Sequence, residues 1–314
     1  MGLTAEVLIL TLSLIMLAFS SDRFVRDMIK ISKKTRLKEL TLGFIVLSVV
    51  TNSPEIAVTI SSIYQGYPGI SVGVLLGSNI VNVTLVLAVA AIIRPLKISN
   101  VALKNISSLL LLSSIIILSL IFSTGLSSFF GIILLSLFVF FVYHSTSSKY
   151  VPHKQYILNN FSRPLIKTLV WVVLELIAIF FSATYIVSSS VNIAGIVGIS
   201  SVVFSATIIS VATSVPELTV AIDSSKKGHE SMTISSIIGS SITKLTLILG
   251  ILLVFTTFIF VNGTILVLIV FGVISNLFVW YFMFRRKVGL IDRNEGITLF
   301  ILFLVFLGAV LATS

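Results

Sequence analysis

Cysteine is absent from the 314 residues, and charge is scarce, with Asp, Glu, Lys and Arg together making up 10%. The first absence excludes a disulfide framework, thiolate chemistry and any cysteine-based metal site. The second excludes an ordinary soluble domain. With 57% hydrophobic residues, such a chain would expose large apolar patches in water and aggregate. No H-E-x-x-H stretch is present to hold a protease zinc, and the three histidines, His144, His153 and His229, are expected in loops. The opening stretch Leu3–Phe19 lacks the basic leader of a signal peptide and is read as a first helix.

Long apolar runs are what the chain has instead. They lie at 4–20, 40–64, 69–93, 103–122, 127–143, 165–189, 195–222, 232–256, 262–284 and 296–313. Each approaches the roughly 20 residues that a helix needs to cross the hydrocarbon of a bilayer, and none shows the alternation of a membrane β-barrel. The expected fold class is an all-α membrane protein of ten transmembrane helices with the lipid bilayer as its surroundings.

The net charge of +10 resolves once the basic residues are mapped. Arg23, Arg26, Lys30, Lys33, Lys34, Arg36 and Lys38 fall in the first loop, and Arg94, Lys97 and Lys104 in the third. Lys149, Lys154, Arg163 and Lys167 fall in the fifth, Lys226 and Lys227 in the seventh, and Arg285, Arg286, Lys287 and Arg293 in the ninth. The even loops, around Gln65–Pro68, Ser123–Ser127, Asn192 and Val261–Gly263, hold none. Basic residues are retained on the cytoplasmic side, so the odd loops belong inside and both termini outside the cell membrane. The charge therefore calls for no nucleic-acid partner. One basic residue stands apart: Lys244, about 12 residues or roughly 18 Å from either end of the eighth span, too far for its stem to reach the headgroups.

The chain also repeats. At a constant offset of 162 residues, Ser48 meets Ser210, Thr51 meets Thr213, Pro54 meets Pro216 and Glu55 meets Glu217. With no gap, Gly66 meets Gly228, Gly77 meets Gly239, Ser78 meets Ser240 and Thr84 meets Thr246. Five spans in each half make the second copy enter the membrane in the opposite direction. The halves are expected at 1–143 and 165–314, joined by a cytoplasmic linker at 144–164. Inverted repeats of this kind characterise secondary transporters, whose site lies near the midplane where the halves meet.

Proline removes a donor and clashes with the carbonyl four residues earlier, so both helices should break at Pro54 and Pro216. The freed carbonyls and nearby hydroxyls then offer hard oxygen ligands for Na⁺ or Ca²⁺. A kinked helix with its hydroxyls bonded to its own backbone would account for the prolines, but not for two glutamates at mid-membrane.

These stretches resemble the repeats of the Na⁺/Ca²⁺ exchanger family, within the wider Ca²⁺/cation antiporters. The family pattern G-T-S-x-P-E followed by G-S-N-x-x-[ND] reads here Val50-Thr51-Asn52-Ser53-Pro54-Glu55 with Gly77-Ser78-Asn79-Ile80-Val81-Asn82. The second copy reads Ala212-Thr213-Ser214-Val215-Pro216-Glu217 with Gly239-Ser240-Ser241-Ile242-Thr243-Lys244. The resemblance implies a compact, prokaryotic-type antiporter, not an enzyme, with no cofactor beyond its transported ions. It implies Glu55 and Glu217 as the principal Ca²⁺ ligands, with Thr51, Thr213, Asn52, Ser214, Ser78, Ser240 and Asn82 around them. Ser48 and Ser210 stand where the family offers a backbone carbonyl. The cargo would be Ca²⁺ against a monovalent counter-ion, Na⁺ by resemblance, carried by a monomer as its first and sixth helices slide across the bundle.

Lys244 departs from that pattern, standing where these exchangers usually carry aspartate. Three readings stay open: a salt bridge in a crevice, an ammonium permanently replacing one Na⁺, or a group that gives up its proton when Ca²⁺ enters. With Lys244 neutral, Glu55 and Glu217 balance Ca²⁺; with it charged, the core suits one monovalent ion. The last reading makes the chain an H⁺-coupled exchanger. A degenerate, non-transporting member and an intramembrane protease using a Ser240–Lys244 dyad are the other classes weighed. Glu175, in the sixth span on the face of Ser182, is expected to pair with Lys244 or serve a proton path if that face meets the bundle, and to be protonated if it meets lipid; the favoured expectation is no part in ion binding.

Overall fold

The first apolar run does not end where its hydrophobic residues do. In the computed structural model, helix α1 spans Leu3–Lys34, so the basic residues from Arg23 to Lys34 lie on a helix and not in a loop, while Arg36 and Lys38 lie outside the described residues. Side-chain pairs at helical spacing stabilise the extension: Asp22 with Arg26 and Asp27 with Lys30. Leu8, Leu12, Ile15 and Phe19 recur at spacings of four, three and four and are all exposed. Such an apolar stripe belongs against lipid. Leu10, Leu17 and Phe24, on another face, are buried. The structure describes residues 2–34, 47–98, 100–122, 127–147, 165–226, 228, 230–256, 261–285 and 289–313.

After α1 come α2 (Leu47–Thr51), α3 (Ser53–Tyr64) and α4 (Pro68–Val81). A five-residue π-helical turn, Asn82–Val86, leads into α5 (Leu87–Ile93), and a short strand β1 (Leu96–Lys97) follows. Next are α6 (Asn100–Ser119), α7 (Ser127–Ser147) and the long α8 (Leu165–Val197). Then α9 (Ser201–Phe204), a second π-turn (Ser205–Ile209) and α10 (Ser210–Thr213) precede α11 (Val215–Lys226) and α12 (Glu230–Thr243). A third π-turn, Lys244–Ile248, joins α13 (Leu249–Phe255), and the chain closes with α14 (Gly263–Arg285), strand β2 (Leu290–Ile291) and α15 (Arg293–Leu311). His144 falls within α7 and not in a loop, because the helix runs on past its apolar core. His153, His229 and most of the linker at 144–164 lie outside the described residues.

Among the described residues this membrane protein is all-helical apart from one two-stranded ribbon, two residues a strand. Among the described residues, six helices are long and apolar enough to cross a membrane, and the pair Ser201–Thr213 and Val215–Lys226, bent by 40°, makes a seventh. The apolar helices Leu103–Ser119 and Ser128–Tyr143 are shorter, and the span expected at 40–64 is described only from Leu47 on. Asn192 was expected in a loop, yet α8 continues through it to Val197 and the turn comes at Gly198. Its side chain donates to Glu6 Oε1 of α1 at 2.9 Å, so the polar residue is satisfied without leaving the helix.

Element boundaries repeat at the same offset of 162. Thus α3 matches α11, α4 matches α12, the π-turn at Asn82 matches that at Lys244, and α5 matches α13, residue for residue at both ends. Even the connections agree, since Gly66 and Gly228 both turn the chain with φ near +79° (78° and 79°), a conformation that only glycine adopts at no steric cost.

The core is built on α4 and α12 with their continuations. Every residue from Ile70 to Val81 is buried, as expected for a helix that is apolar all round. The halves meet through bare backbone. A Cβ on Gly73 would lie 2.7 Å from the Val202 carbonyl, and one on Gly77 2.5 Å from that of Ala206. Small residues spaced by four permit this approach between membrane helices.

The connections also sort themselves into two groups. The ribbon pairs Leu96 with Ile291 and Lys97 with Leu290, tying the third connection to the ninth. Arg94 Nε lies 2.7 Å from Glu230 Oε1, tying the third to the seventh. Gln65, by contrast, donates to the Thr184 carbonyl of α8 at 3.1 Å, and Thr313 Oγ1 donates to Thr264 Oγ1 at 3.0 Å.

Candidate cation site

Both broken helices stop and restart at equivalent residues. α2 ends at Thr51, Asn52 forms the break, and α3 restarts with Pro54 in its first turn. In the second half α10 ends at Thr213, Ser214 forms the break and α11 restarts with Pro216. A proline in the first turn of a helix gives up a donor that has no helical partner anyway. The cost falls on the preceding segment, where the carbonyls of Val50 and Ala212 face no proline N–H.

Glu55 and Glu217 each sit in the first turn of the restarted helix. The partial positive end of a helix stabilises a carboxylate there. Lys244, fully buried, opens the π-turn after α12. Its Nζ lies 2.9 Å from Glu55 Oε1 and 3.4 Å from Glu217 Oε1. The Ser240 hydroxyl, one turn earlier, stands 3.0 Å from Asn52 Oδ1 and 3.3 Å from Glu217 Oε1. With a single proton it donates to one of them at a time. Asn52, Glu55, Glu217, Ser240 and Lys244 thus form one polar cluster across the two copies of the repeat, buried except for the half-buried Glu217.

The remaining expected residues have partners of their own. Asn82, at the head of the first π-turn, is fully buried, and neither its amide oxygen nor its nitrogen has a hydrogen-bond partner in the protein. Ser78 Oγ reaches the Leu75 carbonyl at 3.5 Å, while Ser210 Oγ donates to the Ala206 carbonyl at 2.5 Å. Ser214 and Thr213 turn their hydroxyls to the Ser210 carbonyl, at 2.8 and 3.3 Å. A hydroxyl that donates keeps its lone pairs, so these oxygens stay chemically able to face a cation. Thr51 is half-buried at the end of α2. Ser48 lies on α2, with its side chain outside the described residues.

Two further buried polar residues were not among the expected ligands. Asn79 and Ser241, related by the same offset, are both buried with side-chain polar atoms that find no partner. The G-S-N pattern that contains Asn79 was the available signal.

Glu175 does not meet Lys244. It is buried on α8 facing α1, with Oε1 3.8 Å from Arg23 Nε. Ser182, seven residues on and on the same face, is buried too. The face meets α1, whose charges provide the counter-ions. Nor do Ser240 and Lys244 form a dyad, since each turns to Glu217 instead.

The donor set is carboxylate, amide and hydroxyl oxygen, which fits a hard cation and not a soft metal. Among the described residues no cluster of three or more His, Cys, Asp or Glu side chains forms. The cluster has two carboxylates and, at the third position, an ammonium.

The profile of the sodium/calcium exchanger proteins matches residues 5–147 and 167–312. The chain belongs to the sodium/calcium exchanger family. It is similar to the sodium/calcium exchanger MaX1 of Methanosarcina acetivorans, 28% identical over 79% of this chain and 82% of the relative. It also resembles the membrane protein MJ0091 of Methanocaldococcus jannaschii, 29% identical over 94% of each. Among solved structures, the sodium-calcium exchanger NCX_Mj soaked with 10 mM Na⁺ and 10 mM Sr²⁺ superposes with a TM-score of 0.64 at 27% identity, covering 98% of this chain and 99% of that one. Family membership makes this a cation antiporter of the sodium/calcium exchanger type.

Proposed function

We propose that the protein exchanges Ca²⁺ for a monovalent cation, Na⁺ by family resemblance, across the cell membrane by alternating access. The observation that carries this reading is the convergence of Glu55, fully buried, and Glu217, half-buried, on one point at the Lys244 ammonium, each delivered by a helix broken just before it. Buried carboxylates cost several kcal/mol unless compensated, so they are kept where a cation must be held. Glu55 and Glu217 act as the principal ligands. Thr51, Thr213, Asn52, Ser214, Ser78, Ser240 and Asn82, with the backbone of Ser48 and Ser210, surround them.

In this reading ten spans form two inverted five-helix halves, 1–143 and 165–314, joined by a cytoplasmic linker at 144–164, and the termini lie outside. The ribbon between the third and ninth connections, together with Arg94–Glu230, supports one shared side for the basic connections. The Thr313–Thr264 bond supports the opposite side for the C-terminus. Both copies of the motif sit in one chain, which supports a working monomer. No cofactor is required beyond the transported ions.

The test is Ca²⁺ uptake into proteoliposomes under an outward Na⁺ gradient. Uptake that follows the gradient and vanishes in Glu217→Gln is the expected result. A second reading, proton-coupled exchange, is favoured by the contact of Lys244 with both glutamates; uptake driven only by a pH gradient would establish it. Absence of flux under either gradient would make the chain a non-transporting member.

A further inference from the structure

A salt bridge placed only for stability would give Lys244 one carboxylate. The structure gives it two, and they come from opposite halves of the chain, Glu55 on α3 and Glu217 on α11. The nitrogen therefore stands where a cation shared by both glutamates would stand. Its whole side chain is sealed, with none of it exposed, and so is Glu55. Buried ion pairs add little net stability over well-packed apolar groups, so packing alone gives no reason for this one.

The charge count sharpens the point. Two carboxylates and one ammonium leave a single negative charge, and Glu217 Oε2 is buried with no hydrogen-bond partner. One small monovalent cation would neutralise that remainder. Asn82, the counterpart of Lys244 at the head of the first π-turn, is neutral, so nothing on the first-half side alters the sum. Ca²⁺ needs both carboxylates, and the four-carbon stem of a lysine lets its head withdraw without moving the helix.

We propose that the Lys244 ammonium is a tethered counter-cation: it takes the place of one transported monovalent ion, so that each Ca²⁺ is exchanged for a single free Na⁺. The inference rests on the antiporter reading above. Release of Ca²⁺ brings the ammonium back between the glutamates, one Na⁺ joins it, and the neutral site closes for the return step. The exchange then moves one net positive charge with each Ca²⁺.

The balance point of the purified full-length protein in proteoliposomes tests this directly. With the membrane potential clamped at zero and pH equal on both sides, a tenfold Na⁺ gradient supports about a tenfold Ca²⁺ gradient in one-for-one exchange, and about a hundredfold with two Na⁺. The wild type is expected to stop at the lower value, and Lys244→Met and Lys244→Asp at about the higher one or beyond. The wild-type measurement stands alone if either variant fails to fold. A wild-type balance at about a hundredfold, or one that ignores Na⁺ and follows pH, overturns the tethered cation while leaving an antiporter. Absence of Ca²⁺ flux under every gradient removes the antiporter reading and this inference with it.

Discussion

The two copies of the site share a sequence pattern and element boundaries, but they are not equally enclosed. On α3 the run Ser53, Pro54, Glu55, Ala57, Val58 and Thr59 is buried. On α11 burial is confined to Ala221, Ser224 and Ser225, and Val215 and Thr219 are exposed. The covering helices explain the difference. α8 lies along α3, whereas its counterpart α1 touches α11 only marginally. The glycines agree: Gly77 is pressed against the Ala206 backbone, while a Cβ on Gly239 would meet nothing within 4 Å. One copy is locked and the other is loose. The repeat thus carries its asymmetry in what packs against each copy more than in the copies themselves.

The comparison breaks most visibly at the glutamates. Glu55→Gln and Glu217→Gln should both abolish Ca²⁺ flux, but their effects on stability should differ. Glu55 makes the shorter contact to Lys244, 2.9 Å against 3.4 Å, and is the more deeply buried. Losing a charge-assisted bond of that kind costs about 2–3 kcal/mol, and the weaker one nearer 1 kcal/mol. Thermal unfolding in detergent, with Glu55→Gln melting below Glu217→Gln, would show it. The reverse order would mean that Lys244 belongs to the second half alone.

Gly77→Ala and Gly239→Ala test the packing side of the contrast. The first forces a methyl to 2.8 Å from the Ala206 Cα, with backbone on the receiving side and no flexible side chain to yield. Overpacking of this kind costs about 1–3 kcal/mol. The second enters open space and gains up to about 1 kcal/mol from helix propensity. Equal melting temperatures for the two variants would remove the claim that the first-half interface is the locked one.

Much of this site was legible before any coordinates, for identifiable reasons. The offset, the paired glutamates and the helix breaks follow from local chemistry: proline cannot donate, and a mid-membrane carboxylate needs a cation. The breaks fall at Asn52 and Ser214, two residues before each proline. What stayed hidden depends on how helices meet. The extent of α1 and α8 rests on charges satisfied across the interface, such as Asn192 with Glu6, so polar residues there do not mark loops. The π-turns at Asn82 and Lys244 widen the helix by one residue per turn, and no propensity signals them. The partner of Glu175 lies on α1, far back in the chain.

Access to the looser copy can be measured cleanly, because the chain has no native cysteine. Thr219 and Ala57 occupy equivalent positions, the first exposed and the second buried. A charged, membrane-impermeant thiol reagent applied from the side of the basic connections should modify Thr219→Cys at least about tenfold faster than Ala57→Cys, since water must reach the thiol for it to ionise. Ca²⁺ should slow the reaction at 219 if the ion closes the site. An unreactive Thr219→Cys would mean that lipid, and not water, flanks α11.

The smallest effect is expected at the other ion pair between long helices. Arg23 and Glu175 join α1 to α8 at 3.8 Å, with the arginine side chain one-third exposed (33%) and stacked over Trp171, its Cζ 5.0 Å from the ring centroid. Only the arginine end of this pair is open, and its length makes it a weak bond, so Glu175→Gln should cost about 0.5–1 kcal/mol and leave Ca²⁺ flux nearly unchanged. A double-mutant cycle with Arg23→Gln isolates the pairwise part, expected below about 1 kcal/mol. The sealed Lys244–Glu55 pair, put through the same cycle, should give several times that value. If the two coupling energies came out alike, burial would not be what separates the transport site from the clamp between α1 and α8, and the two helices would owe their joint position to the Glu6–Asn192 contact at their other end.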